Sequence, residues 1–126
     1  MDEAKKKSLT KMALRVRMGA IEGVFHAKSG HPGGSLSVAD VLTYLYFEEM
    51  KVDPQKPHWK DRDRCVLSKG HAAPALYATL ANRGFFSVDL LKTLRKIDSI
   101  LQGHPNMKQV PGIDMSMGRD YLTIYR

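Results

Sequence analysis

Three times along this chain a glycine stands directly before a histidine: Gly30-His31, Gly70-His71 and Gly103-His104. Imidazole exchanges hydrogen bonds with hydroxyl, carbonyl and phosphate oxygens near neutral pH, and the preceding glycine lets a ligand approach the backbone. Each histidine read alone is a turn residue satisfied by its own backbone, whereas the threefold repetition points to one shared site. His71 falls where a strand-to-helix loop presents backbone N–H groups to an anion. Lys69 beside it could meet a phosphate or could be a solvated loop lysine. A zinc triad is the rival chemistry, but no His-x-Glu or His-Glu-x-x-His spacing accompanies the histidines and no carboxylate adjoins them, so no residue is assigned to a metal. His26, on a polar strip of a helix, and His58, after Pro57 in a charged loop, read as solvated.

The elements that must position these residues follow from periodicity. Leu9, Ala13, Val16, Ala20, Val24 and Ala27 recur at helical spacing and predict one apolar face, while Leu14, Met18, Ile21 and Phe25 predict a second on roughly the opposite side. A helix apolar on two sides needs two neighbours, and in so short a chain the second neighbour could be another chain. Gly30-His31-Pro32-Gly33-Gly34 breaks that helix, and Ser37 with Asp40 has the capping-box spacing for a second one running to about Met50. Val52 to Arg64, with two prolines and seven charged residues, reads as a loop. Cys65-Val66-Leu67 is the best strand candidate, and Ala72 to Ala81 follows it as a helix with Pro74 in the first turn and Gly84 as the stop. Ser87 caps a short helix through Leu94, Gly103-His104-Pro105 and Pro111 to Asp114 are loops, and Tyr121 to Tyr125 is strand-like without an identifiable partner.

Composition excludes several classes. The 126 residues allow one domain, and 43% hydrophobic with 26% charged residues is an ordinary globular balance. No apolar run approaches the roughly 20 residues of a membrane span, and Met1 to Lys7 leads into no signal segment, so the expectation is a cytoplasmic protein without membrane contact. The lone Cys65 can form neither an internal disulfide nor a CxxC site. The net charge of +7 invites a nucleic-acid reading, but residues 1–28 hold seven basic and three acidic side chains of the chain's twenty and thirteen, which leaves a nearly balanced remainder. No basic stripe is interleaved with aromatics, so nucleic acid is not the expected partner.

The segments Lys28-Ser29-Gly30-His31-Pro32-Gly33-Gly34-Ser35-Leu36, Asp61 through His71, Gly103-His104-Pro105 and Pro111-Gly112-Ile113-Asp114 occur in an order and spacing that resembles the transketolase family. Over residues 8–118 the chain is most similar to the N-terminal, diphosphate-binding subunit of split transketolases. The resemblance implies an α/β thiamine-diphosphate-binding fold, a parallel sheet with flanking helices, of which this stretch supplies mostly helix and about one strand. It also implies a thiamine-diphosphate- and magnesium-dependent transfer of two-carbon ketol units between sugar phosphates, as in the pentose phosphate pathway. By the same resemblance His31, His71 and His104 are catalytic. His31 binds substrate oxygens at the reacting centre, His104 binds the donor hydroxyls, and His71 lies near the cofactor diphosphate, with Gly118 also on the cofactor. Neutral imidazoles suit such chemistry, since they stabilise charge developing on oxygen and move protons.

After Gly118 the family continues through a glycine-rich loop at the thiamine pyrimidine, and later through a Gly-Asp-Gly to Asn segment that holds magnesium; here the residues are Arg119 to Arg126. The activating glutamate belongs to the pyrimidine half. The expectation is therefore residues 1–118 as the N-terminal part of a transketolase-like diphosphate-binding domain and 119–126 as a divergent tail, in a truncated or frame-shifted product. Such a chain would bind no cofactor by itself, be inactive alone, self-associate, and work on sugar phosphates only with a pyrimidine-binding partner subunit. Two rivals remain: an interaction module that docks its first helix on a transketolase chain and regulates it, and a basic phosphate or nucleic-acid binder with steep salt dependence.

Overall fold

The computed structural model describes residues 1–115 and, as backbone, 122–125. The first helix, α1 (Glu3–Ala27), starts ahead of the periodic segment because the Asp2 carboxylate accepts the Lys5 N–H at 2.7 Å and caps it. It ends at Lys28, which takes the left-handed conformation at φ 55° and donates its N–H to the Phe25 carbonyl. Its buried residues are Ala13, Val16, Gly19, Ala20 and Gly23. These small residues bring α1 close to its neighbours: a Cβ on Gly19 would stand 3.0 Å from the Ala78 Cβ.

The second helix, α2 (Pro32–Tyr44), corrects the expected start at Ser37. Pro32 lies in the first turn, where its fixed φ favours the helix and its missing N–H costs no bond, and His31 takes the N-cap position. The Ser37 hydroxyl instead donates to the Gly34 carbonyl at 3.0 Å, and Asp40 accepts from Arg17 of α1 at 2.8 Å. The helix continues as a π-helical turn, Leu45–Glu49, and stops at Met50, where the periodicity placed its end.

Strand β1 (Arg64–Leu67) emerges from the charged loop and leads through a 3-10 turn, Gly70–Ala72, into α3 (Ala73–Arg83). Every residue from Ala73 to Ala81 is buried, so α3 is the central rod against which α1 and α2 pack. Gly84 closes it at φ 106°. The following short helix is 3-10 (Val88–Thr93), with the Ser87 hydroxyl accepting the Asp89 N–H as expected. The tail, which lacked an identifiable partner in the sequence, forms β2 (Leu122–Tyr125) and pairs antiparallel with β1, Arg64 opposite Tyr125 and Leu67 opposite Leu122. Among the described residues the sheet is these two strands, and the rest of the architecture is helical.

The core gathers Leu42, Tyr46, Leu67, Leu76, Leu80 and Leu101. Of the two apolar faces of α1, the one carrying Ala13, Val16 and Ala20 is buried and the other is not, with Leu14 at 54%, Met18 at 68%, Ile21 at 50% and Phe25 at 72% exposure. No described helix is long and apolar enough to cross a membrane.

Candidate active site

Ser35 and Gly34, in the first turn of α2, position the site. The buried Ser35 hydroxyl accepts the Ala75 N–H at 3.2 Å and reaches the Ala72 carbonyl at 3.5 Å, tying the start of α2 to the start of α3. Gly34 leaves room for what comes from β1: a Cβ there would stand 3.2 Å from the His71 Cδ2 and 3.3 Å from the Lys69 Cε. The two loops that carry His31 and His71 are thereby brought together, and their imidazole rings meet edge to face at a centroid distance of 5.3 Å and 77°.

The third Gly-His pair arrives on the segment after the 3-10 helix. Tyr77 of α3 donates its hydroxyl to the Gln102 carbonyl at 2.6 Å, which fixes the chain just before Gly103 and His104. Burial pushes the Tyr77 phenol well above its ordinary value. A cavity of about 100 Å³ results, lined by Gly30, His31, His71, Gly103 and His104 together with Pro74, Leu94 and Arg95. His31 and His104 stand exposed at its rim and His71 is half-buried. The three histidines singled out by their glycines therefore share one cavity, and no carboxylate lines it.

Other expectations resolve differently. Lys69 does not line the cavity: half-buried, its ammonium donates to the Ser37 hydroxyl at 3.0 Å and the Gly34 carbonyl at 3.3 Å, pinning the β1 loop onto α2. His58 is exposed in a remote turn, and His26 packs edge-on against Phe25 with its Nε2 4.0 Å from Glu22; neither lines the cavity. Gly118 lies outside the described residues. The site residue that sequence reasoning missed is Arg95. Arg95 belongs to no motif in the sequence, and only the fold brings it to the cavity wall.

The motif at Pro111 to Asp114 is structural. The Asp114 carboxylate accepts from Arg62 Nε at 3.0 Å and from the Cys65 N–H at 2.9 Å, and so anchors the start of β1. Burial pushes the Cys65 thiol up to about 12, with a nearby Tyr46 hydroxyl pulling weakly the other way. Among the described residues no group of three histidines, cysteines or carboxylates could hold a metal ion.

Known proteins resemble this chain in sequence and fold. A family model described as transketolase, thiamine diphosphate binding domain, matches residues 8–119. The 6-deoxy-6-sulfo-D-fructose transketolase subunit of Clostridium sp. (strain MSTE9) is 48% identical over 103 residues, 82% of this chain and 38% of that protein. An apulose-4-phosphate transketolase subunit of Phocaeicola vulgatus is 50% identical over 102 residues, 81% of this chain and 36% of that protein. A crystal structure of transketolase from Pichia stipitis in complex with sedoheptulose 7-phosphate superposes with a TM-score of 0.82 at 37% identity, covering 87% of this chain and 16% of that one. The chain thus spans little more than a third of the length of the two curated relatives.

Proposed function

The chain belongs to the transketolase family, and from that premise we propose that its three-histidine cavity is the substrate-side half of a centre that moves a two-carbon ketol unit between sugar phosphates. One observation carries the reading: three histidines from three separated loops, each after a glycine, converge on one cavity free of carboxylates. The imidazoles can donate to sugar oxygens there.

The donor set suits the cofactor of the family at its anionic end. The His71 imidazole, within the 3-10 turn that leads into α3, would hold the diphosphate side, and the space kept by Gly34 leaves that ring its position. Thiamine diphosphate, when bound, supplies the carbon nucleophile and electron sink for the two-carbon unit. His31, at the N-cap of α2, would donate a proton from its imidazole to the substrate oxygen on which charge develops, and His104 would hold the donor hydroxyls. The described residues offer no magnesium set, so the metal enters no step here.

The activity belongs to an assembly in which a pyrimidine-binding chain completes the centre, a reading supported by the naming of both relatives as subunits. Their names also support an anionic sugar as substrate, one a sulfo-sugar and the other a phosphate ester. The reduced Cys65 suits a cytoplasmic setting. Alone, the chain is inactive and binds magnesium and thiamine diphosphate more weakly than micromolar, because contacts of about 1–3 kcal/mol each fall short of the roughly 8 kcal/mol required. Calorimetric titration checks this, and tight magnesium-dependent binding would refute it. In the assembled enzyme His31→Ala, His71→Ala and His104→Ala each lower turnover by roughly 10²–10⁴, while His58→Ala leaves it nearly unchanged. An equal effect at His58 would sink the assignment.

The exposed stripe Leu14, Met18, Ile21 and Phe25 favours a second reading, in which α1 docks on a second copy or a transketolase chain. Burying each side chain gains about 1.5–3 kcal/mol. Sedimentation across a concentration series, with and without a transketolase chain, tests it, and a clean monomer in both would reject it.

A further inference from the structure

The helix α1 turns its bulk outward. Its buried face carries mostly small residues, Ala13, Gly19, Ala20 and Gly23 with Val16, while Leu14, Met18, Ile21 and Phe25 are each at least half exposed. These four are spaced four, three and four residues apart, the seven-residue pattern by which one helix packs along another. At 1.5 Å per residue the seam runs about 17 Å along the helix.

The charges beside the seam match themselves. Arg15 and Glu22 stand exposed on one flank of it, seven residues apart. When two copies of α1 lie antiparallel, Met18 of one faces Ile21 of the other and Leu14 faces Phe25. The flank with Arg15 then meets Glu22 of the second copy, twice by symmetry. Among the described residues Arg15 has no ion-pair partner, whereas Arg17, on the opposite flank, is held by Asp40 at 2.8 Å. Glu22 keeps only long contacts, 3.7 Å to Lys92 and 4.0 Å to His26. A parallel pair would stack Lys7 on Lys7 and Lys11 on Lys11, which continue the same seam toward the N-terminus, and would align the two helix dipoles. The antiparallel pair brings Lys11 to the C-terminal end of the second helix, where free carbonyls favour a cation and Lys28 is the one like charge it approaches.

We propose that this face recognises a second copy of the chain: the two α1 helices pair antiparallel across Leu14, Met18, Ile21 and Phe25, with Arg15 of each copy on Glu22 of the other. The proposal rests on the docking reading above and commits it to one occupant. A seam of two heptads is at the small end of specific interfaces, so the pair forms reversibly, with a dissociation constant of about 10–100 μM.

Sedimentation equilibrium of the full chain at low salt, from about 5 to 500 μM, reads the pairing and should show monomer passing to dimer. Met18→Glu, at an exposed position that leaves the buried face intact, should weaken association at least about tenfold with the helical circular dichroism unchanged. Arg15→Glu and Glu22→Arg should each weaken it about threefold or more, since each sets like charges together at both ends, and mixing the two variants should restore pairing as a heterodimer. Direction is read by disulfide formation under mild oxidation: Leu14→Cys mixed with Phe25→Cys should cross-link, and Leu14→Cys alone should not. Cys65 is buried and stays out of this exchange. A monomer throughout the range, Met18→Glu associating as strongly as the unmodified chain, charge variants that pair no better mixed than alone, or cross-linking by Leu14→Cys alone would overturn the proposal. A chain that is monomeric by itself yet binds a transketolase chain refutes this pairing and leaves the docking reading standing, whereas a chain that does neither refutes both.

Discussion

The two walls of the histidine cavity are held by different forces. The wall that carries His71 is backed by volume: β1 and the fully buried run Ala73 to Ala81 leave its backbone no alternative packing. The wall that carries His104 is loop: Leu94 and Leu101 anchor it in the core, and between these anchors it is held by polar bonds, among them Tyr77 to the Gln102 carbonyl and Thr93 to Ser99, with Arg95 and Asp98 both in left-handed conformations. A packed wall fixes a ring by excluding space, and a hydrogen-bonded wall fixes it only while each bond persists. On the proposed function, the first suits a group that must stay still beside a charged cofactor, the second a group that admits and releases substrate.

The contrast can be broken on the packed side. Cys65, in β1, has its thiol at about 12 against an ordinary value near 9, because burial penalises the thiolate. Only the thiolate reacts, so alkylation at pH 8 should run about a thousandfold slower in the folded chain than in denaturant. The same shift makes stability fall as pH rises from about 9 toward 12, since the unfolded chain ionises first. Reaction at the unfolded rate would show that the β1 wall opens freely.

Gly112→Ala should be the most damaging small substitution on that side. A Cβ there would stand 2.8 Å from the Leu80 Cδ2 and 2.9 Å from the Phe85 Cδ1, at a φ of 96°. Overpacking and backbone strain together should cost about 2–4 kcal/mol, read from a denaturant melt. A loss under about 0.5 kcal/mol would mean that the packing on α3 is looser than its burial indicates.

Tyr77→Phe sharpens the comparison from the other side. It keeps the packing and deletes one bond, leaving the Gln102 carbonyl without its donor, at a cost of about 1–2 kcal/mol. Amide exchange should accelerate across residues 95–104 and stay unchanged in α3. Uniform acceleration in both regions would show that the two walls open together and erase the distinction.

Much of this was legible in the residues themselves. The periodicities of α1 and α3, the stop at Gly84, the cap at Ser87 and the strand at Cys65 to Leu67 depend on interactions within a few residues, and local pattern encodes them. The exposed second face of α1 was equally readable, because its burial requires more elements than the chain between residues 28 and 115 supplies. The start of α2 was misread because two local signals competed, the capping box at Ser37 and the proline at 32. The proline prevailed once Ser35 was drawn into the α2–α3 junction. Glycine before histidine marked three candidate residues but carried no distance between them. Their convergence, the diversion of Lys69 to the Gly34 carbonyl and Ser37, and the turning of Arg95 to the cavity wall depend on contacts between residues 25 to 40 positions apart or on a strained loop closed around buried leucines. Sequence types set which groups could do chemistry, and tertiary packing decided which of them face one another, because a side chain's direction is fixed by the space its distant neighbours leave.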